Sequence, residues 1–180
     1  MNSTDTVRRE FVQLWGRMGP FWGVSPAAAR VYGWLLSRKD AATADAVMAG
    51  LDISRGAVSM ACRELRDWGL VNLEKESGSR QWTYRPETDL ERAMRNIVQA
   101  RKRREWDPIL ERLREWIPKL DAERSAEAQI FRERLDAIES LVGMVDSMAE
   151  SFLKGGVVQS LGLKMLVASA NKKSAKRRKS

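Results

Sequence analysis

The spacing of apolar residues changes at Gly69, and that change constrains the fold more than any other feature. Up to Gly69, apolar side chains recur every three or four positions, which is the period of amphipathic helices. After Gly69 the period falls to two, over residues 70–73 and again over residues 81–84. Residues 76–79 between these runs are typical of a hairpin turn. The sequence therefore predicts helices, a two-stranded hairpin, and a second helical region that starts at Pro86.

Four helices are predicted before the hairpin, each with a recognisable start or stop signal. Gly19 followed by proline ends the first helix, and Ser25 followed by proline caps the second. Thr43 begins a short third helix. Ser54 is a good N-cap for the fourth helix, and Gly69 stands at its C-terminal end. The short turn between the last two helices predicts a helix-turn-helix, to which the hairpin adds a wing.

The fourth helix has two different faces. At about 100° per residue, Val58, Ala61 and Leu65 lie on one side and predict a core face. The other side carries small and basic residues, and arginine there can read guanine N7 and O6 or bind phosphate. We expect this side to contact double-stranded DNA, with an ordinary surface helix as the alternative. The expected contact residues are Ser54, Arg55, Gly56, Ser59, Met60 and Arg63.

The hairpin carries a weaker signal for DNA contact. Glu74 and Glu76 lie among its polar residues and oppose deep insertion into a groove. We therefore expect contact with the DNA backbone there, with Arg80 as the best candidate. The hairpin residues assigned to DNA are Lys75, Ser77, Ser79 and Arg80.

The second helical region contains a heptad-spaced apolar seam. Asp107 followed by proline predicts a kink or a restart of the helix. Further along, apolar residues follow one another in alternating steps of four and three. This seam predicts a homodimer, with support from Phe11 of the first helix, whereas packing inside one subunit is the alternative. The seam consists of Phe131, Leu135, Ile138, Val142, Val145, Ala149 and Phe152.

Two segments resemble a known family of regulators. The run from Ile53 to Val71 is similar to the recognition helix of the GbsR branch of the MarR-type transcriptional regulators. The run from Asn96 to Pro108, with its four consecutive basic residues, is similar to the linker helix of that branch. The resemblance implies a winged-helix homodimer that binds an operator near its own operon, with DNA contacts from Ser54, Arg55, Gly56, Ser59 and Arg63.

Composition excludes several classes of function. The chain has no histidine and one cysteine, Cys62, so His-based catalysis, CxxC metal sites and a disulfide framework are excluded. No paired-carboxylate site or phosphate-binding glycine loop is recognisable, and we expect no enzyme activity and no cofactor. No apolar run approaches the length of a membrane span, and the N-terminus does not resemble a secretory leader, so we expect a cytoplasmic protein without membrane contact.

The positive charge of the chain is concentrated at one end. The net charge is +8, and residues 171–180 carry six basic side chains without an acid. We expect this tail to be disordered, either as a solvated end or as an arm that adds non-specific phosphate contacts. The overall charge is therefore weaker support for DNA binding than the fourth helix.

The predicted organisation is mainly α-helical, with a winged helix-turn-helix domain and a long C-terminal helical dimerisation region. Its parts are 1–24, 25–86, 87–156, a short apolar segment at 157–170, and the tail at 171–180. The function that follows is a sequence-specific DNA-binding regulator, expected to act as a repressor. A non-specific DNA-coating protein and a winged helix that binds other proteins are the alternatives.

The tryptophans and the single cysteine each allow two interpretations, one of which involves a small-molecule effector or an oxidant. The chain has seven tryptophans. Their faces can bind quaternary ammonium groups by cation–π attraction, and choline-type effectors are associated with some members of the GbsR branch. Plain core packing is the alternative for these rings. Cys62 is either an oxidation sensor or an inert core thiol.

Overall fold

The computed structural model describes residues 2–75 and 81–155. Contacts divide the chain into two units, with the boundary between Ala100 and Arg101. The first unit is a winged helix-turn-helix, and the second is helical. In chain order the elements are α1 (Ser3–Met18), α2 (Pro26–Leu36), β1 (Ala42–Thr43), α3 (Ala44–Leu51), α4 (Arg55–Asp67), β2 (Val71–Lys75), β3 (Trp82–Pro86), α5 (Leu90–Arg101), α6 (Asp107–Asp121) and α7 (Ala126–Leu153).

The predicted helix starts are confirmed by side-chain caps. The Ala28 N–H donates to Ser25 Oγ at 3.2 Å, which satisfies a backbone donor that the first turn of α2 leaves unpaired. Thr43 caps α3 and Ser54 caps α4 in the same way. Gly69 follows α4 with φ +67, a left-handed conformation in which a side chain is strained.

The sheet differs from the predicted hairpin in having three antiparallel strands, in the order β1-β3-β2. In β1, Ala42 pairs with Tyr84. This strand was not predicted, because its two residues are too few to show an alternating apolar pattern. Pro86 pairs with Val71 at the end of β3, so the prediction that helix resumes at Pro86 was wrong. α5 begins at Leu90 instead, after the side chain of Asp89 accepts hydrogen bonds from the next turn.

The core of the first unit surrounds one face of α4. Val58 and Leu65 of α4 are fully buried together with Leu35 of α2 and Val47 of α3. α1 joins this core through Val12. Because four elements contribute to it, the rotation of α4 about its own axis is fixed by packing.

A carboxylate on α4 also caps α2. Glu64 accepts hydrogen bonds from the Ser25 backbone N–H and from Ser25 Oγ, both at 2.6 Å. Its charge lies at the N-terminal end of α2, where the helix dipole favours an anion. α4 is thus held by a half-buried polar contact as well as by apolar packing.

The second unit begins with a widened helical turn. Residues 102–106 form a π-helix in which the Asp107 N–H donates to Lys102 O, five residues earlier. This register shift precedes Pro108, which has no N–H to donate. α6 then continues through Pro118 without ending, and the loop after it leads to Ser125, the N-cap of α7.

Lys102 is the polar centre of the second unit. Its Nζ lies 2.8 Å from Asp107, 2.5 Å from Asp146 and 3.6 Å from Glu150. Hydrogen bonds to Asp107 and Asp146 raise its pKa above the usual value. Lys102 therefore helps to hold α7 in place. Among the basic residues 101–104, it is the least suited to bind a DNA phosphate, because three carboxylates already surround its ammonium group.

The Glu64 contact predicts a specific loss of stability. Replacement by alanine removes both acceptors from Ser25, and we expect Glu64→Ala to lower the free energy of unfolding by about 2 kcal/mol. Urea titration followed by tryptophan fluorescence measures this. Glu10→Ala on the exposed side of α1 is the matched control. A loss no greater than that of the control would show that the contact does not stabilise the domain.

Candidate nucleic-acid interface

The polar side of α4 is exposed as the sequence predicts. Arg55, Ser59 and Arg63 are exposed, and Met60, an apolar side chain, is 67% exposed. The opposite side, through Val58 and Leu65, is buried. The helix therefore presents a continuous surface of small, basic and flexible apolar side chains.

The small size of Gly56 is not required by the packing of this chain. A Cβ added there would meet a single atom within 4 Å, Ser54 Oγ at 3.9 Å. By contrast, a Cβ on Gly50 would lie 2.3 Å from the Trp34 ring, so internal packing explains that glycine. Open space beside Gly56 on the exposed side of α4 is suited to close approach of another molecule.

The two predicted arginines differ in their surroundings. Arg55 Nη2 forms an ion pair with Asp45 Oδ1 of α3, and both side chains are well exposed. Arg63 forms no ion pair with a residue of the described parts of the chain. Arg63 can therefore bind an anion without first losing a partner, whereas Arg55 must share or exchange its carboxylate.

Arg66 is a basic residue of this face that the sequence analysis did not include. It is exposed, and its charge acts on both Cys62 and Tyr84. Helical geometry places it about 20° around the axis from Arg55. The spacing of eleven residues from Arg55 could have placed Arg66 on this face. Arg66 was left out because it lies near the C-terminal end of α4.

The wing places an exposed tryptophan beside the predicted Lys75. Lys75 pairs with Trp82 across the sheet, and its Nζ lies 5.8 Å from the Trp82 ring centre. Trp82 is 54% exposed and, two residues before Tyr84, shares its face of β3. Burial raises the pKa of Tyr84, while the nearby charges of Arg66 and Arg55 oppose that shift. Lys75 and Trp82 thus extend the face of the sheet that meets α4.

Trp82 was not among the predicted DNA contacts, because it was interpreted as a strand residue and as one of the seven tryptophans. Trp82 lies two residues before Tyr84, and this spacing could have placed both side chains on the same face of the strand. The other predicted wing contacts, Ser77, Ser79 and Arg80, lie outside the described residues, as do the segment 157–170 and the basic tail.

The residues of the predicted seam on α7 differ in their exposure. Leu135 is 6% exposed and Ala149 is equally buried within the second unit, where α6 packs against α7. For Leu135 and Ala149 the structure thus matches the alternative, packing inside one subunit. Phe131 and Ile138 are exposed, and Val142, Val145 and Phe152 are half-buried. Phe11 of α1 is half-buried and packs on Trp15 with ring centres 5.0 Å apart.

A different apolar stripe on α7 is open to solvent. Its side chains lie roughly one third to one half of a turn away from the buried face of the helix. The spacing of eleven, three and four residues keeps them on one side. The stripe consists of Ile130, Leu141, Met144 and Met148.

The aromatic rings around Trp15 in the first unit pack against one another. Trp15 lies 4.9 Å from Trp22 and 6.5 Å from Tyr32, measured between ring centres. Tyr32 also donates a hydrogen bond to Glu87 O at 2.6 Å. Ring-on-ring packing of this kind accounts for these tryptophans as core residues.

Comparison with known proteins shows a shared fold. No protein-family model matches the chain, and no curated protein matches it by sequence. A crystal structure described as that of a transcriptional regulator aligns with a TM-score of 0.65 at 18% identity, over 82% of this chain and 96% of that chain. A MarR transcriptional regulator from Methanosarcina mazei Go1 aligns with a TM-score of 0.36 at 17% identity, over 78% of this chain and 94% of that chain.

The first of these alignments confirms the predicted winged-helix architecture, and the second is too distant to support a conclusion. Within residues 2–75 and 81–155, no helix combines the length and apolar character needed to cross a membrane.

Burial of Cys62 predicts an unreactive thiol. Desolvation raises its pKa to about 12, although the charge of Arg66 opposes the shift. Relative to an ordinary thiol, the thiolate fraction at pH 8 falls roughly a thousandfold. We expect Ellman's reagent to modify the native protein that much more slowly than the urea-unfolded protein. Because the unfolded thiol ionises first, the free energy of unfolding should also fall as pH rises from about 8.5 towards 12.

Cys62→Ala supplies the baseline for both measurements, since it lacks the thiol. Equal modification rates in native and unfolded protein would reopen the role of Cys62 as an oxidation sensor.

Proposed function

We propose that this protein is a MarR-type transcriptional regulator that binds a specific double-stranded DNA operator as a homodimer and acts as a repressor. The observation that carries the proposal is the exposed face of α4, where Gly56 leaves open space and where Arg63, two turns further along, forms no ion pair within residues 2–75 and 81–155. The shared fold with a crystal structure described as a transcriptional regulator supports it. The similarity of residues 53–71 and 96–108 to the GbsR branch supports placement in that branch.

In the proposed complex, α4 lies in the major groove. Arg63 and Arg55 can each make bidentate hydrogen bonds to guanine O6 and N7. Ser54 uses its oxygen as an acceptor for the Ala57 N–H, and its hydroxyl proton stays available for a phosphate. Lys75 and Trp82 contact the DNA backbone or the adjacent minor groove. Base contacts come from α4, and the wing fixes its position.

The α7 stripe provides the proposed subunit contact. A homodimer with two-fold symmetry buries the same patch on both subunits, and a stripe of four large apolar side chains on one helix is suited to such self-association. Two recognition helices then read two half-sites, which yields the affinity that a single helix lacks. Repression follows when the bound dimer occupies the operator.

Gly56 and Arg63 provide the test of DNA recognition. The preferred duplex is first identified by genome-wide footprinting, and affinity is then measured by fluorescence anisotropy. We expect Arg63→Ala to weaken binding to that duplex by about 1–3 kcal/mol. Gly56→Ala should also weaken binding, yet leave the protein as stable as before or more stable by up to about 1 kcal/mol, because alanine favours helix.

Arg114→Ala on the exposed surface of α6 is the matched control and should leave affinity unchanged. Equal binding of the preferred and a scrambled duplex would instead identify a non-specific DNA-coating protein. If neither variant weakens DNA binding, a winged helix that binds other proteins becomes the better explanation.

The α7 stripe predicts the oligomeric state. Sedimentation velocity should give a dimer for the unmodified protein and a monomer for Leu141→Glu/Met148→Glu, because dimerisation would bury two charges per subunit. Gln129→Glu, on another side of the same helix, is the control and should remain dimeric. A dimer that survives the double substitution would place the contact elsewhere.

A further inference from the structure

A cleft opens between three helices of the first unit. It has a volume of about 250 Å³, just below the usual range of ligand pockets, about 300–1,000 Å³, so that only a compact molecule would fit. α1 and α2 form two of its walls and the C-terminal end of α3 forms the third. The side chains used below are Arg8, Arg9, Val12, Arg30, Trp34 and Asp52.

The lining of this cleft carries a net positive charge, and one of its arginines, Arg8, also forms an ion pair with Asp5. Arg8, Arg9 and Arg30 line it, against a single carboxylate from Asp52. Arg8 is already oriented, because its Nε donates to Ser37 Oγ at 3.1 Å and its Nη1 to Asp5 at 2.7 Å. An anion would therefore meet guanidinium groups from two different helices.

Arg30 points most clearly to a missing partner. Its Nε is buried and has no hydrogen-bond partner among residues 2–75 and 81–155. Burying such a donor without a partner costs free energy, and because Arg30 also lines the cleft, an anion bound there would offset part of that cost by pairing with the guanidinium charge. Arg30 also packs its aliphatic part close to Gly16, where a Cβ would lie 2.5 Å from Arg30 Cγ. The stem of this arginine is thus held in place beside the cleft.

We propose that this cleft binds a compact dianion, a small phosphate monoester or dicarboxylate, as the effector of the regulator. The guanidinium groups supply charge and paired hydrogen bonds to such oxygens, and Val12 with Trp34 supplies an apolar wall. The same charges repel quaternary ammonium compounds, so a choline-type ligand does not fit here. The regulatory part of this inference rests on the proposed DNA-binding function, whereas the anion site does not.

The position of the cleft explains how occupancy would reach the DNA-binding surface. Trp34 packs so closely on Gly50 that no side chain fits between α2 and the last turn of α3. Asp52 ends α3 in a left-handed conformation with φ 52, and Ser54 caps α4 two residues later. An anion that draws α1 and α2 together therefore acts next to the turn that sets the start of α4.

Isothermal titration calorimetry of the full chain without DNA tests the site. The probes are inorganic phosphate and succinate, with sodium chloride at matched ionic strength as the blank. We expect the unmodified protein to bind at least one probe, and Arg30→Met to weaken that binding at least tenfold while keeping the packed stem. Arg17→Met, an exposed arginine of α1 outside the cleft, should bind normally.

Absence of binding to the unmodified protein, or equal weakening in both variants, would overturn the site. A second titration then measures affinity for the preferred duplex with and without the bound probe. A change of threefold or more, lost in Arg30→Met, supports the effector role. If Arg30→Met instead weakens DNA binding in the absence of any probe, the cleft holds a DNA phosphate and the effector role is overturned. Because the first titration contains no DNA, its result is independent of the proposed function.

Discussion

Burial of one side of α4 is the interaction on which the rest of the first unit depends. Val58 and Leu65 are fully buried against α2 and α3, and Glu64 adds two hydrogen bonds to the start of α2. These contacts fix which residues of α4 face outward. Arg55, Ser59 and Arg63 form one surface because the opposite side of the helix cannot leave the core without losing its apolar burial.

The basic residues of this protein differ in whether a nearby carboxylate neutralises them. Lys102 belongs to the ion cluster of the second unit, and Arg55 has a carboxylate partner in α3. Arg63 differs from them, because it forms no ion pair within the described parts of the chain. In the cleft beside Arg30, three arginines outnumber the carboxylate of Asp52. The net charge of the chain does not distinguish these cases, whereas the position of each arginine does.

Much of the first unit was predictable because its signals are local. Ser54 and Gly69 mark the ends of α4 through capping and backbone conformation, which depend on neighbouring residues in the sequence. β1 was missed because its pairing with Tyr84 is a long-range contact. The unequal exposure of the α7 seam was not predictable for a related reason. Leu135 and Ile138 fit the same heptad, but the packing of α6 against α7 buries the first and leaves the second exposed.

The central claim is that the exposed face of α4 reads DNA as part of a two-fold pair. Hydroxyl-radical footprinting of the protein on its preferred duplex tests this most directly. We predict two protected regions related by symmetry, with centres about 10 base pairs or a multiple of one helical turn apart, both lost in Arg63→Ala. Uniform protection along the duplex, or a single protected region that Arg63→Ala leaves intact, would contradict it.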